Sequence, residues 1–123
     1  MADDKTPEDF YVYLVSLNFS VSRGNTVDGK AFFIVADYEV MYGQNHGKKI
    51  EIAFPIPLDY PTTAPYGMHI KLPHNLTGNI TSVGSSPLGP NWQFWSRKVN
   101  SWNVGNRNAR VYLEYVNRWL EAI

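Results

Sequence analysis

Hydrophobic and polar positions alternate over residues 49–56. Ile50, Ile52, Phe54 and Ile56 fall on one face, Lys49, Glu51 and Ala53 on the other. A period of two predicts a strand with one face in a core. Pro55, Pro57, Pro61 and Pro65 then end it, since each fixes φ, lacks an amide donor and keeps its predecessor out of the helical region. The loop is therefore stiff and extended, with Tyr60 near its middle. A second alternation follows, Met68, Ile70 and Leu72 against His69 and Lys71, which predicts another strand with His69 and Lys71 in solvent. Upstream, residues 30–41 are β-branched and aromatic, and the same period groups Phe32, Ile34, Ala36, Tyr38 and Val40. Residues 42–47 read as the turn of a hairpin between these two strands.

The ends of the chain have helical signatures. Thr6-Pro7-Glu8-Asp9 supplies a capping hydroxyl, a proline at the first helical position and carboxylates in the first turn. This helix extends to about Leu14 or Leu17. Val15, Leu17, Phe19 and Val21 alternate with Ser16, Asn18 and Ser20, so a strand overlaps its end. From about Asn108 onward Tyr112, Tyr115, Val116, Trp119 and Leu120 form one helical face. Between residues 73 and 91 periodicity gives way to Gly, Ser, Asn, Thr and Pro, which predicts a long irregular loop. The expected fold class is α+β: a four-stranded antiparallel meander, a short N-terminal helix or arm and a C-terminal helix. At this length residues 1–123 are expected to form one domain.

Phe54-Pro55 followed by Tyr60-Pro61-x-x-x-Pro65 resembles the proline passage between the third and fourth strands of ubiquitin-conjugating enzymes. Trp92-Gln-Phe-Trp95-Ser-Arg97 resembles a W-x-x-W-S-R segment of the bacterial ubiquitin-conjugating-like group. With strands upstream and a helix at the end, the resemblance covers most of the chain. It implies a role in conjugating or handling a ubiquitin-like protein beside an activating-enzyme-like protein, with no cofactor. It also makes Tyr60, Pro61, Pro65, Tyr66 and Trp95 candidate partner-binding residues, with simple packing as the alternative for the tyrosines and the proline loop and a place in the core for the tryptophan.

The chain departs from that family at its chemistry. It contains no cysteine, which closes the thioester route along with disulfides and thiolate metal sites. Pro73-His74-Asn75 stands where the family has His-Pro-Asn, with histidine and proline exchanged; Asn75 alone is carried over, as an oxyanion or loop-shaping residue. The family's cysteine would fall at Ser82-Val83. One reading makes a serine of Ser82-Val-Gly-Ser-Ser86, that is Ser82, Ser85 or Ser86, the carrier of the modifier as an oxyester. A hydroxyl attacks poorly unless a base takes its proton, so His74 or His69 must lie within hydrogen-bonding reach. The oxyanion would need donors such as the Asn75 amide or backbone N–H groups around Gly84. A serine put in place of cysteine to trap a complex would leave the same sequence. The alternative keeps the fold without the chemistry, as a binding module for a ubiquitin-like protein. A third reading, from another class, is a small-ligand or glycan binder stacking on tryptophans, and it requires at least two exposed indoles.

Charge narrows the field further. Eleven basic and eleven acidic residues balance to zero, which argues against a nucleic-acid binder. The halves differ: residues 1–66 hold five basic and nine acidic side chains, residues 67–123 six and two, a polarity suited to a protein partner or to a plain solvated surface. No apolar run is long enough to span a bilayer and residues 1–5 lack a secretory layout, so no membrane association and a cytoplasmic location are expected. His46, His69 and His74 lack metal-ligand spacing.

Overall fold

The computed structural model describes residues 6–26, 28–102 and 107–123; residues 1–5, on which the expectation about a secretory signal rests, lie outside them. The order is α1 (Pro7–Ser16), β1 (Val21–Asn25), β2 (Ala31–Glu39), β3 (Lys49–Ile56), β4 (Met68–Lys71), β5 (Val83–Ser85), β6 (Trp92–Trp95) and α2 (Ala109–Glu121). All strands join one antiparallel sheet in the order β1-β2-β3-β4-β6-β5. The four-stranded meander is present, but its first strand is corrected: the alternation over Val15, Leu17, Phe19 and Val21 falls on the end of α1 and the turn after it, and β1 begins only at Val21. β5, inside the stretch expected as an irregular loop, and β6, just after it, add two short strands to the far edge. Their three and four residues are too few to register as a period.

α1 starts where its cap predicts, and α2 where its periodicity does. Thr6 Oγ1 accepts the Asp9 N–H at 3.1 Å, and Asn108 Oδ1 accepts the Val111 N–H at 3.0 Å. They cover one face of the sheet, here called inner. Ile50, Ile52, Phe54 and Ile56 of β3 all point into the core beneath them, as their alternation predicts. Phe10 of α1 is fully buried among aromatic rings, with Phe33 at 5.6 Å, Tyr60 at 5.5 Å and Tyr112 at 5.9 Å between centroids.

On β2 the expected face is corrected. Val35 pairs with Ile52 and Tyr38 with Ile50, so three steps along β2 match two along β3. That extra residue is a bulge, and it reverses the phase of the strand. Phe33 and Val35 before it, and Tyr38 and Val40 after it, lie in the inner core; Phe32 points to the opposite face and Ala36 is exposed. Where β4 begins, Gly67 has φ +68, and an added Cβ would collide with the Trp95 carbonyl. Its own carbonyl accepts the buried Tyr112 hydroxyl at 2.5 Å, which ties α2 to the sheet. No helix among the described residues is long and apolar enough to cross a membrane.

Candidate active site

The outer face of the sheet carries a second, smaller buried cluster where β4 meets β6. His69 lies opposite Ala53 of β3 on one side and Phe94 of β6 on the other. Phe32 meets its imidazole edge-on and Phe94 lies tilted against it, each at 4.9 Å between centroids. His69 is only 4% exposed. The expectation of a solvated His69 is therefore corrected, whereas Lys71 is exposed as expected. The physical reason is the added β5–β6 hairpin, which brings Phe94 and Ser86 over a face that would otherwise meet water.

Ser86 lies just past β5, on the side of the ladder shared by Gly84 and Phe94. Its Oγ is 2.8 Å from His69 Nδ1, and it also accepts the Leu88 N–H at 3.1 Å. Ser86 is 9% exposed. Burial pushes the imidazole down to about 4, with a further contribution from the Lys30 ammonium. His69 is thus neutral at physiological pH, and one of its ring nitrogens is an acceptor. A hydroxyl and a neutral imidazole in contact form the pairing that nucleophilic catalysis requires.

The other candidate residues are placed differently. Ser82 is exposed with φ +56, and its carbonyl accepts the Ser96 N–H at 2.9 Å and Arg97 Nη1 at 3.4 Å. Ser85 is exposed on β5, opposite Gln93. His74 is half-buried; its Nδ1 accepts the Leu76 N–H at 3.2 Å, and its ring stands edge-on to Trp95. The exposed Asn75 offers its carbonyl to Lys48 Nζ at 2.7 Å. Lys48 and the buried Asn45 fasten this loop to the β2–β3 turn, for Asn45 Oδ1 accepts the Thr77 N–H at 2.9 Å and Asn45 Nδ2 donates to the Thr77 carbonyl at 2.8 Å. The bonds of His74 and Asn75 thus shape a loop, while His69 meets a serine.

Among the candidate partner-binding residues, Tyr60, Pro65 and Trp95 are buried. Pro61 is half-buried, with its carbonyl accepting Trp102 Nε1 at 2.7 Å. Tyr66 is 53% exposed and its hydroxyl lies 2.7 Å from Ser96 Oγ. Trp95 and Trp102 are buried, and Trp92 and Trp119 are half-buried. None of the four is fully exposed, and Trp92 and Trp119 keep part of their surface in solvent. Among the described residues no group of three His, Asp or Glu is placed to hold a metal ion.

Sequence reasoning missed the burial of His69 and so its pairing with Ser86. A signal was present in Ala31-Phe-Phe-Ile-Val35, where consecutive apolar residues mean that both faces of a strand are covered. The sequence matches prokaryotic E2 family E over residues 6–123. No curated protein and no solved structure matches it.

Proposed function

The chain belongs to prokaryotic E2 family E, a ubiquitin-conjugating-like family, and from that premise we propose that it carries a ubiquitin-like protein as an oxyester on Ser86. One observation carries this reading: Ser86 Oγ lies 2.8 Å from Nδ1 of a neutral, buried His69. The partners are those expected of an E2-like protein, a ubiquitin-like protein and an activating enzyme.

The modifier arrives with its C-terminal carbonyl bonded to a leaving group, a thiolate or an adenylate. With the ring proton on Nε2, Nδ1 of His69 accepts the Ser86 Oγ–H. Oγ attacks the carbonyl carbon while its proton passes to Nδ1. The C–Oγ bond forms, the bond to the leaving group breaks with its electron pair, and the imidazolium returns the proton to that group. The Leu88 N–H donates to Oγ at 3.1 Å and so fixes the hydroxyl beside the ring. In transfer, an amine attacks the ester carbon and its proton passes through His69 to Oγ as the C–Oγ bond breaks.

A second reading, binding of the modifier without chemistry, is favoured by the low exposure of Ser86. Incubation with the cognate activating enzyme, its ubiquitin-like protein and ATP, followed by intact mass, separates the two. A carrier yields an adduct that resists thiol, is cleaved by mild hydroxide and disappears in Ser86→Ala but not in Ser82→Ala. Binding with no adduct identifies a non-catalytic module. Neither adduct nor binding removes both readings.

A further inference from the structure

We propose that the free edge of β5 is a strand-addition site that receives the extended C-terminal segment of the modifier, running parallel to β5. The identity of this occupant rests on Ser86 being the carrier. The edge itself follows from the ladder. The Ser96 N–H donates to the Ser82 carbonyl, so these two residues form a hydrogen-bonded pair. The register continues as Val83 opposite Trp95, Gly84 opposite Phe94 and Ser85 opposite Gln93. Hydrogen-bonded and non-bonded pairs alternate in an antiparallel ladder, so Gly84 bonds inward to β6. Val83 and Ser85 therefore turn their N–H and C=O groups outward, away from the sheet.

β5 ends the strand order, and all three of its residues are exposed. Edge strands are usually protected by brevity, charge, proline or cover, and Val-Gly-Ser has only its three-residue length. The opposite edge, β1, carries Arg23 in a 2.8 Å ion pair with Glu8 and stacked over Tyr11. Space is also available along β5. A Cβ added at Gly84 or Gly89 would meet nothing within 4 Å, and both glycines line a depression of about 600 Å³ that includes Val83, Ser85, Ser86 and Trp92. Backbone pairing would supply affinity, and the missing side chains leave room for a close approach.

The chain direction is fixed by the chemistry. Ser86 follows the C-terminal end of β5, so a tail whose last carbonyl reaches Ser86 Oγ runs in the same direction as β5. At about 3.3 Å per residue, two or three tail residues span the edge.

Hydrogen exchange on Ser86→Ala tests this, because that protein cannot form the ester. It is read alone, with the intact cognate modifier and with the modifier shortened at its C terminus. The Val83 and Ser85 amides are expected to slow by at least about tenfold with the intact modifier only, while the Gly84 amide, already bonded, changes little. Ser85→Pro removes an outward donor and follows a glycine that tolerates it, so intact modifier should bind about tenfold more weakly. Retained protection at Gly84 and Phe94 certifies that the hairpin is folded. Modifier bound with protection at β1, or with none at Val83 and Ser85, overturns the proposal, as does unweakened binding to Ser85→Pro. If the wild type forms no adduct but these two amides are protected, the carrier reading fails and the strand-addition site stands. An adduct without that protection removes the strand-addition site and leaves the carrier reading in place.

Discussion

On the inner face of the sheet, beneath α1 and α2, buried polar atoms end on fixed partners. The Tyr112 hydroxyl donates to the Gly67 carbonyl and the Tyr38 hydroxyl to Asn117 Oδ1 at 2.6 Å. Burial drives both phenols above their ordinary range. On the outer face a single imidazole is buried against a single hydroxyl, and burial lowers its proton affinity. Desolvation favours the neutral form in both places. Neutrality makes a phenol an inert anchor but makes an imidazole an available base. The inner face anchors the helices to the sheet, and the outer cluster holds the hydroxyl–imidazole contact on which the proposed chemistry rests.

Cutting into each face and comparing stability tests this contrast most severely. Phe54 is fully buried, with Phe10, Tyr38 and Tyr112 around it. Phe54→Ala should cost about 3–5 kcal/mol in urea denaturation. A loss under about 1 kcal/mol would mean that the inner face is not the core.

The next largest effect is the pH dependence of the outer face. His69 titrates near 4 when folded and near 6.5 when unfolded, so between these values the unfolded chain binds more protons. Its contribution is complete above pH 6.5 and is lost as pH falls toward 4, to a total of about 3 kcal/mol. His69→Gln should flatten the stability profile in that window. An unchanged slope would place the imidazole in solvent. Smaller still is Tyr112→Phe, which leaves the Gly67 carbonyl buried without its donor. It should lower stability by about 1–2 kcal/mol and leave the His69 titration where it was, as NMR of the imidazole would read.

How much of this is legible in the sequence differs between the faces. β3 and α2 each carry a strong period, so their inner residues can be read directly. Thr6-Pro7-Glu8-Asp9 announces α1 by cap chemistry, whereas the cap at Asn108 emerges only in the structure. The bulge at Ala36–Asp37 is hidden, because one inserted residue shifts the phase of a strand without altering its composition. The outer cluster is hidden for a related reason. Alternation sends His69 away from Met68 and Ile70, and only the hairpin formed by β5 and β6 determines that this direction is also covered. Long-range pairing of three- and four-residue strands leaves no local period. Spacing is enough to name Ser86 with the other serines, but choosing it requires the contact with His69.

If Ser86 bears the modifier in the charged state, Ser86→Cys should change the chemistry of the bond that holds it. The substituted protein is charged with the cognate activating enzyme, modifier and ATP, then split between thiol and mild hydroxide before intact mass is read. The wild-type adduct is expected to survive thiol and yield to hydroxide, while the Ser86→Cys adduct is released by thiol. A Ser86→Cys adduct that still survives thiol would place the modifier on another residue and rule out Ser86 as its carrier.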